Sequence, residues 1–198
     1  MSIPELDLER VEDRATSILE SVPDYIWNGQ TLPVPVEDIV DSMYGLMVRD
    51  VADMSQAPGA PEDVNADQIS GLLLTGLGEI WVNQTEANRW PTRRRFTISH
   101  ELGHWVLHRT GQQKLFCRTA EVLSDQDLAE AERKVTTRPA IPVTEEEANA
   151  FAAALLMPAH LVNEHHEKCR GDLAKLKETF NCSEKAMNRR VRSVVELS

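Results

Sequence analysis

The pentapeptide His100-Glu101-Leu102-Gly103-His104, inside the stretch RRRFTISHELGHWVLH from Arg93 to His108, constrains this chain more than any other feature. An α-helix turns once in about 3.6 residues, so positions i and i+4 lie on one face about a turn apart. His100 and His104 can then aim both imidazoles at one metal ion, and zinc, with bonds to nitrogen of ~2.0–2.1 Å, suits such a pair. Glu101 is rotated about 100° from His100, beside the metal rather than on it. There it can take a proton from a zinc-bound water, whose pKa the metal lowers to about 7. Gly103 lets a second backbone segment approach. The competing reading is an ordinary amphipathic helix that carries surface histidines.

His108 continues the histidines to i, i+4, i+8, but eight residues at a rise of 1.5 Å put it ~12 Å from His100 along the axis, too far to share one ion. It reads as structural, and a third ligand must come from elsewhere. The segment TEEEANAFAAALLMP from Thr144 to Pro158 predicts a helix with Thr144 as N-cap, Glu147 completing a capping box and Pro158 as the stop. Within it Glu145 shares a stripe of small or polar side chains with Ala148, Asn149 and Ala152, suited to lying against a metal-binding helix. Glu145 is therefore the favoured ligand, with Asn149, four residues on, able to orient a histidine from behind. Glu146 and Glu147 read as a solvated helix start favoured by the helix dipole.

Elsewhere, residues 5–22 carry Leu6, Leu8, Val11, Ala15, Ile18 and Leu19 near helical spacing, and a short helix from Val36 ends at Gly45. LMVRDV predicts a strand. ADMSQAPGAPEDVNADQ is a polar loop, and ISGLLLTG with EIWVN predicts a β-hairpin. The metal-binding helix is expected over Arg94 to about Arg109. Residues 111–143 are the least legible, with a polar helical piece near Asp125 to Val135. The C-terminal forty residues read as short helices, the final one capped by Ser183.

A length of 198 residues allows one main domain with a small appended segment. No apolar run reaches the ~18 residues of a membrane span, and the acidic N-terminus does not resemble a secretory signal, so a cytoplasmic protein that does not enter the membrane is expected. Three cysteines without C-x-x-C spacing fit reduced thiols. A net charge of -11 argues against a general nucleic-acid coat, leaving two local basic patches, Arg93 to Arg95 and the tail EKAMNRRVRS.

RRRFTISHELGHWVLH followed by EEEANAFAAALLMPAHLV resembles the ImmA/IrrE family of zinc metallopeptidases, from about Ile69 to Val162. The resemblance implies an α+β, zincin-like core: a small twisted antiparallel sheet, a zinc-binding helix, a second helix carrying the glutamate, and a mostly helical C-terminal part. It implies Zn2+ on His100, His104 and Glu145, with Glu101 as the general base. An extended substrate would pair with an edge strand, for which EIWVN is the candidate. It further implies a protein substrate, a helix-turn-helix repressor, cleaved in a DNA-damage, mobile-element or antiphage response; single-stranded DNA is a separate candidate, as activator.

Residues 1–162 are thus expected to form the metallopeptidase domain and 163–198 a helical segment. The tail, with Lys185, Arg189, Arg190 and Arg192 after a break at Asn181-Cys182-Ser183, looks like a helix-turn-helix. It could bind the repressor, sense single-stranded DNA, or only pack against the core. Cys117, in the long interval between His104 and Glu145, is a candidate inhibitory fourth zinc ligand, with a small buried cysteine as the alternative. A second class of function is a DNA- or protein-binding regulator that uses the zinc fold as scaffold or sensor. The intact Glu101 favours the enzyme, because a scaffold needs no base beside its metal.

Overall fold

The computed structural model describes residues 7–58, 69–109, 115–119 and 142–195, the segment 115–119 through its backbone only. In chain order the elements are α1 (Leu8–Ser21), α2 (Val36–Tyr44), β1 (Met47–Val51), β2 (Ile69–Leu74), β3 (Glu79–Asn83), α3 (Gln84–Arg89), α4 (Pro91–Leu107), β4 (Leu115–Thr119), α5 (Val143–Leu156), α6 (Ala159–Lys168), α7 (Leu173–Phe180) and α8 (Glu184–Val194). The α+β expectation holds. Local chemistry sets several boundaries: Asp7 caps α1 by accepting from the Arg10 amide at 3.0 Å, Gly45 ends α2 at φ 61°, and Ser183 caps α8 by accepting from the Ala186 amide. No helix among the described residues is long and apolar enough to cross a membrane. The polar piece expected near Asp125 to Val135 lies outside the described residues.

β2 and β3 form the expected antiparallel hairpin, from Gly71 opposite Val82 to Leu74 opposite Glu79. The strand order is β1-β3-β2-β4. β1 runs parallel to β3, so the sheet is mixed rather than wholly antiparallel. The order also corrects the placing of EIWVN at the edge. As β3 it is paired on both sides, and β1 and β4 flank the sheet. A hairpin pattern reveals only the local partner of a strand. The second partner, β1, comes from some thirty residues earlier, as in the pairing of Met47 with Glu79.

Successive strand side chains face opposite ways. Leu73, Ile80 and Val82 join the main core with Val11, Ala15 and Ile18 of α1, Ile98 and Leu102 of α4, and Phe151 and Leu155 of α5. Leu72 and Leu74 point into a smaller cluster with Met54, Ala57 and Ile69. β2 is buried on both faces, and its second half, Leu72 to Leu74, is accordingly an unbroken apolar run rather than an alternation.

Leu176, Phe180, Met187 and Val191 belong to the same main core, and α6 runs through the 162/163 position. Arg190 pins α8 down. Its Nε donates to the Met157 carbonyl at 2.8 Å, and its two terminal nitrogens donate to Glu12 of α1 at 2.7 and 2.5 Å. A buried fork of this kind is among the stronger side-chain contacts, and it removes Arg190 from the basic face of the tail. Lys185, Arg189 and Arg192 remain exposed.

The arginine triplet is likewise employed within the fold. Arg93 pairs with Glu86 of α3 at 2.6 Å, Arg94 pairs with Glu37 of α2 and, at 2.9 Å, with Asp50 of β1, and Arg95 donates to the Val34 carbonyl at 2.7 Å. These contacts fasten the first turns of α4 to three neighbouring elements. The histidines follow on its next turns.

Candidate metal centre

Two glycines allow the centre to form. A Cβ placed on Gly103 of α4 would lie 3.1 Å from Phe151 Cδ1 and 3.2 Å from the Ala148 Cα, so the absence of a side chain lets α5 lie directly on α4. This is the close approach that the HELGH pattern suggested. On the sheet side, a Cβ on Gly71 of β2 would come within 2.3 Å of Thr97 Cγ2 and 3.0 Å of Glu101 Oε1. Gly71 therefore makes room for Glu101 against the strand.

Between these contacts His100, Glu101 and His104 are buried, the two histidines at 1% and 0% exposure and Glu101 at 0%. The Nε2 atoms of His100 and His104 stand 3.1 Å apart. Glu145 closes a triangle, with Oε2 3.1 Å from His100 Nε2 and Oε1 3.1 Å from His104 Nε2. Ligands bound tetrahedrally at about 2.05 Å lie about 3.3 Å from one another, so the spacing fits one small ion. The three side chains are the one group among the described residues whose donor atoms, all within 4.8 Å, could hold a metal ion. Two imidazoles and a carboxylate suit a divalent cation of intermediate softness.

Glu145 has 25% of its side chain exposed, so the centre opens to solvent on the carboxylate side. Burial works against its ionisation, but close contacts with His100 and His104 outweigh that and hold the carboxyl well below the usual carboxylate range. It is a charged ligand at neutral pH. Behind His100, Nδ1 meets Asn149 Oδ1 at 3.1 Å; as a donor there, Nδ1 leaves the Nε2 lone pair for the centre. Behind His104, Nδ1 meets His108 Nδ1 at 3.0 Å. His108 Nε2 in turn meets Glu147 Oε2 at 2.8 Å. Burial holds the pKa of His108 below its ordinary value despite the acceptor that Glu147 offers its ring.

A family model described as Peptidase_M78, the IrrE N-terminal-like domain, matches residues 62–192, about two thirds of the chain. The chain belongs to this family. Among solved structures, the IrrE-like chain is similar to one described as a Mycobacterium tuberculosis transcriptional regulator, at 16% identity and a TM-score of 0.49. That similarity covers 93% of this chain and 52% of the other, so the IrrE-like chain spans about half of that protein's length. No curated protein matches.

In the IrrE-like domain His100, His104, Glu145 and Asn149 lie together, as the sequence indicated, with Glu101 beside them. His108 stays outside the ligand group. Cys117 stands opposite Leu72 in the β2–β4 ladder, and its side chain lies outside the described residues. Two expectations for α5 are corrected. The helix starts at Val143 after Pro142, without a side-chain cap, so Thr144 lies inside the first turn and no capping box forms. Glu147, expected in solvent, is 6% exposed and bonded to His108 and Arg10. The signal for this was present: His108 follows His104 at the same four-residue spacing that unites His104 with His100.

Proposed function

We propose that this chain is a zinc-dependent endopeptidase that cleaves a specific protein substrate, a helix-turn-helix transcriptional repressor, in the cytoplasm. The observation that carries the reading is Glu101: a carboxylate buried on the helical turn between two ligand histidines, in a space that Gly71 keeps open. A scaffold would place an apolar side chain there, because burying a carboxylate without a chemical task costs stability. Zinc held by His100, His104 and Glu145 would supply Lewis acidity toward a peptide carbonyl and lower the pKa of water.

The remaining chemistry falls to the chain. Glu101 takes a proton from the attacking water as its oxygen bonds to the carbonyl carbon, then passes that proton to the amide nitrogen, so that the C–N bond breaks and the amine departs. His100 and His104 hold their Nε2 lone pairs toward the centre, and Asn149 keeps His100 in that orientation. β4 is our candidate for the strand that receives an extended substrate, because among the described residues it is the edge strand next to β2, which carries Gly71.

The regulator reading loses support from the arginines, since Arg93, Arg94, Arg95 and Arg190 are all engaged within the fold. Incubation of the protein with the helix-turn-helix repressor encoded beside its gene, with and without single-stranded DNA as activator, tests the proposal. Mass spectrometry should locate one cut made by wild type, and Glu101→Gln should retain zinc while losing at least about a hundredfold in rate, the lower range for general acid–base groups. Zinc binding without cleavage under either condition would refute the peptidase reading for this substrate.

A further inference from the structure

We infer that His108, Glu147 and Arg10 form a positioning relay behind His104, one that fixes the tautomer of this histidine and tightens the hold of the centre on its metal. The inference rests on the metal-site reading given above. Its starting point is a continuous line of contacts across three helices. His104 Nδ1 lies 3.0 Å from His108 Nδ1 on α4, His108 Nε2 lies 2.8 Å from Glu147 Oε2 on α5, and Glu147 Oε1 lies 3.1 Å from an Arg10 nitrogen on α1.

The donor order of this line follows from its far end. Arg10 only donates, and an ionised Glu147 only accepts. His108 Nε2 must therefore carry a proton and give it to Glu147. The 3.0 Å contact between the two Nδ1 atoms needs one donor and one acceptor; with the proton of His108 directed to Glu147, its Nδ1 accepts and His104 Nδ1 donates. His104 then has a single lone pair, on Nε2, and that atom faces Glu145 and His100. Three side chains thus dictate, from the protein surface inward, which nitrogen of a ligand histidine is available to an ion.

The environment of each member fits such a role. The His108 and Glu147 side chains are 9% and 8% exposed, so little water competes for their bonds. Arg10 is 63% exposed and brings its charge to Glu147 from the surface. A buried carboxylate is costly unless paired, and the Arg10 contact meets that need. Arg10 also lies outside residues 62–192, so the relay ends on a helix beyond the part of the chain matched to the family.

A mere staple between α4 and α5 would use the same atoms, so one readout tests the donor order and a second separates the roles. The first is the tautomer state of the histidines in the full-length, zinc-loaded wild type, read from proton–nitrogen correlation spectra after nitrogen-15 labelling of histidine. The relay requires His108 protonated on Nε2 and His104 protonated on Nδ1; His108 protonated on Nδ1 alone overturns it. The second is zinc affinity by competition with a chromogenic chelator, beside thermal unfolding of the metal-free protein. His108→Leu should loosen zinc roughly 10–100-fold, the usual range for partners behind a ligand. His108→Asn should recover most of that loss, because its Oδ1 can accept from His104 Nδ1, and Glu147→Gln should loosen zinc less than His108→Leu. Should His108→Leu fail to fold, Glu147→Gln and the tautomers decide. Variants that are less stable without metal but bind zinc as wild type does would show a staple and overturn the relay alone. Failure of wild type to bind zinc would overturn the metal-site reading and the relay with it.

Discussion

His100 and His104 face the same carboxylate at the same 3.1 Å, yet they are held in unequal ways. His100 leans on Asn149, which sits on α5 four residues after Glu145, so its ligand partner and its brace come from one rigid helix. The support of His104 begins on its own helix, crosses to α5 through Glu147 and ends on α1 at Arg10. One half of the centre is braced once α4 and α5 meet. The brace of the other half runs on to α1 through Arg10, so a change at Arg10 alone should bear on His104 more than on His100.

The largest effect should come from the residue that the two halves share. Glu145→Ala removes one ligand of three, and tetrahedral zinc sites supply on the order of 10–16 kcal/mol, so several kcal/mol should disappear. Zinc affinity measured by chelator competition is expected to fall by about a thousandfold or more. A loss of only a few-fold would mean that Glu145 is not a ligand, and the comparison between two braced histidines would lose its common centre.

A smaller effect, of a different kind, should follow from Gly71→Ala. The added methyl would stand 2.3 Å from Thr97 Cγ2 and 3.0 Å from Glu101 Oε1, and it approaches neither ligand histidine. Thr97 is β-branched and stiff within α4, so Glu101 and the helix must shift together. Displacement of a reacting group by about 1 Å can cost about a hundredfold in rate. The expected result is kcat reduced by about that factor with zinc affinity close to wild type. Equal losses in both would show that the strand supports the histidines as well as the base.

Much of this arrangement was legible in the sequence, and the reasons are physical. His100, His104, Glu145 and Asn149 lie at helical spacings on two helices, and helical periodicity reveals which side chains share a face. The hairpin of β2 and β3 was legible because its partners adjoin one another in the chain. What escaped was non-local. The central place of EIWVN depends on β1, and β4, Leu115–Thr119, lies in the stretch with the weakest pattern. Glu147 escaped for another reason. In a run of three acids each residue is rotated about 100° from the next, so one can face the metal, another solvent and the third His108. The run looks like a solvated helix start because its composition does not say what packs against it.

The finest test of the inequality is Asn149→Ala. It removes the brace of His100 while Glu145, on the same helix, stays in place, and partners behind a ligand usually contribute 10–100-fold in affinity, with about tenfold expected for a single amide. The helix itself should not suffer, since alanine is the better helix former. Asn149→Asp, which still offers an oxygen to His100 Nδ1, should restore the affinity. If Asn149→Ala loosens zinc by less than His108→Leu does, the longer line of contacts is also the stronger support of the centre. An equal loss would mean that each histidine feels only its first neighbour, and Arg10 would then be expected to contribute nothing measurable to metal binding.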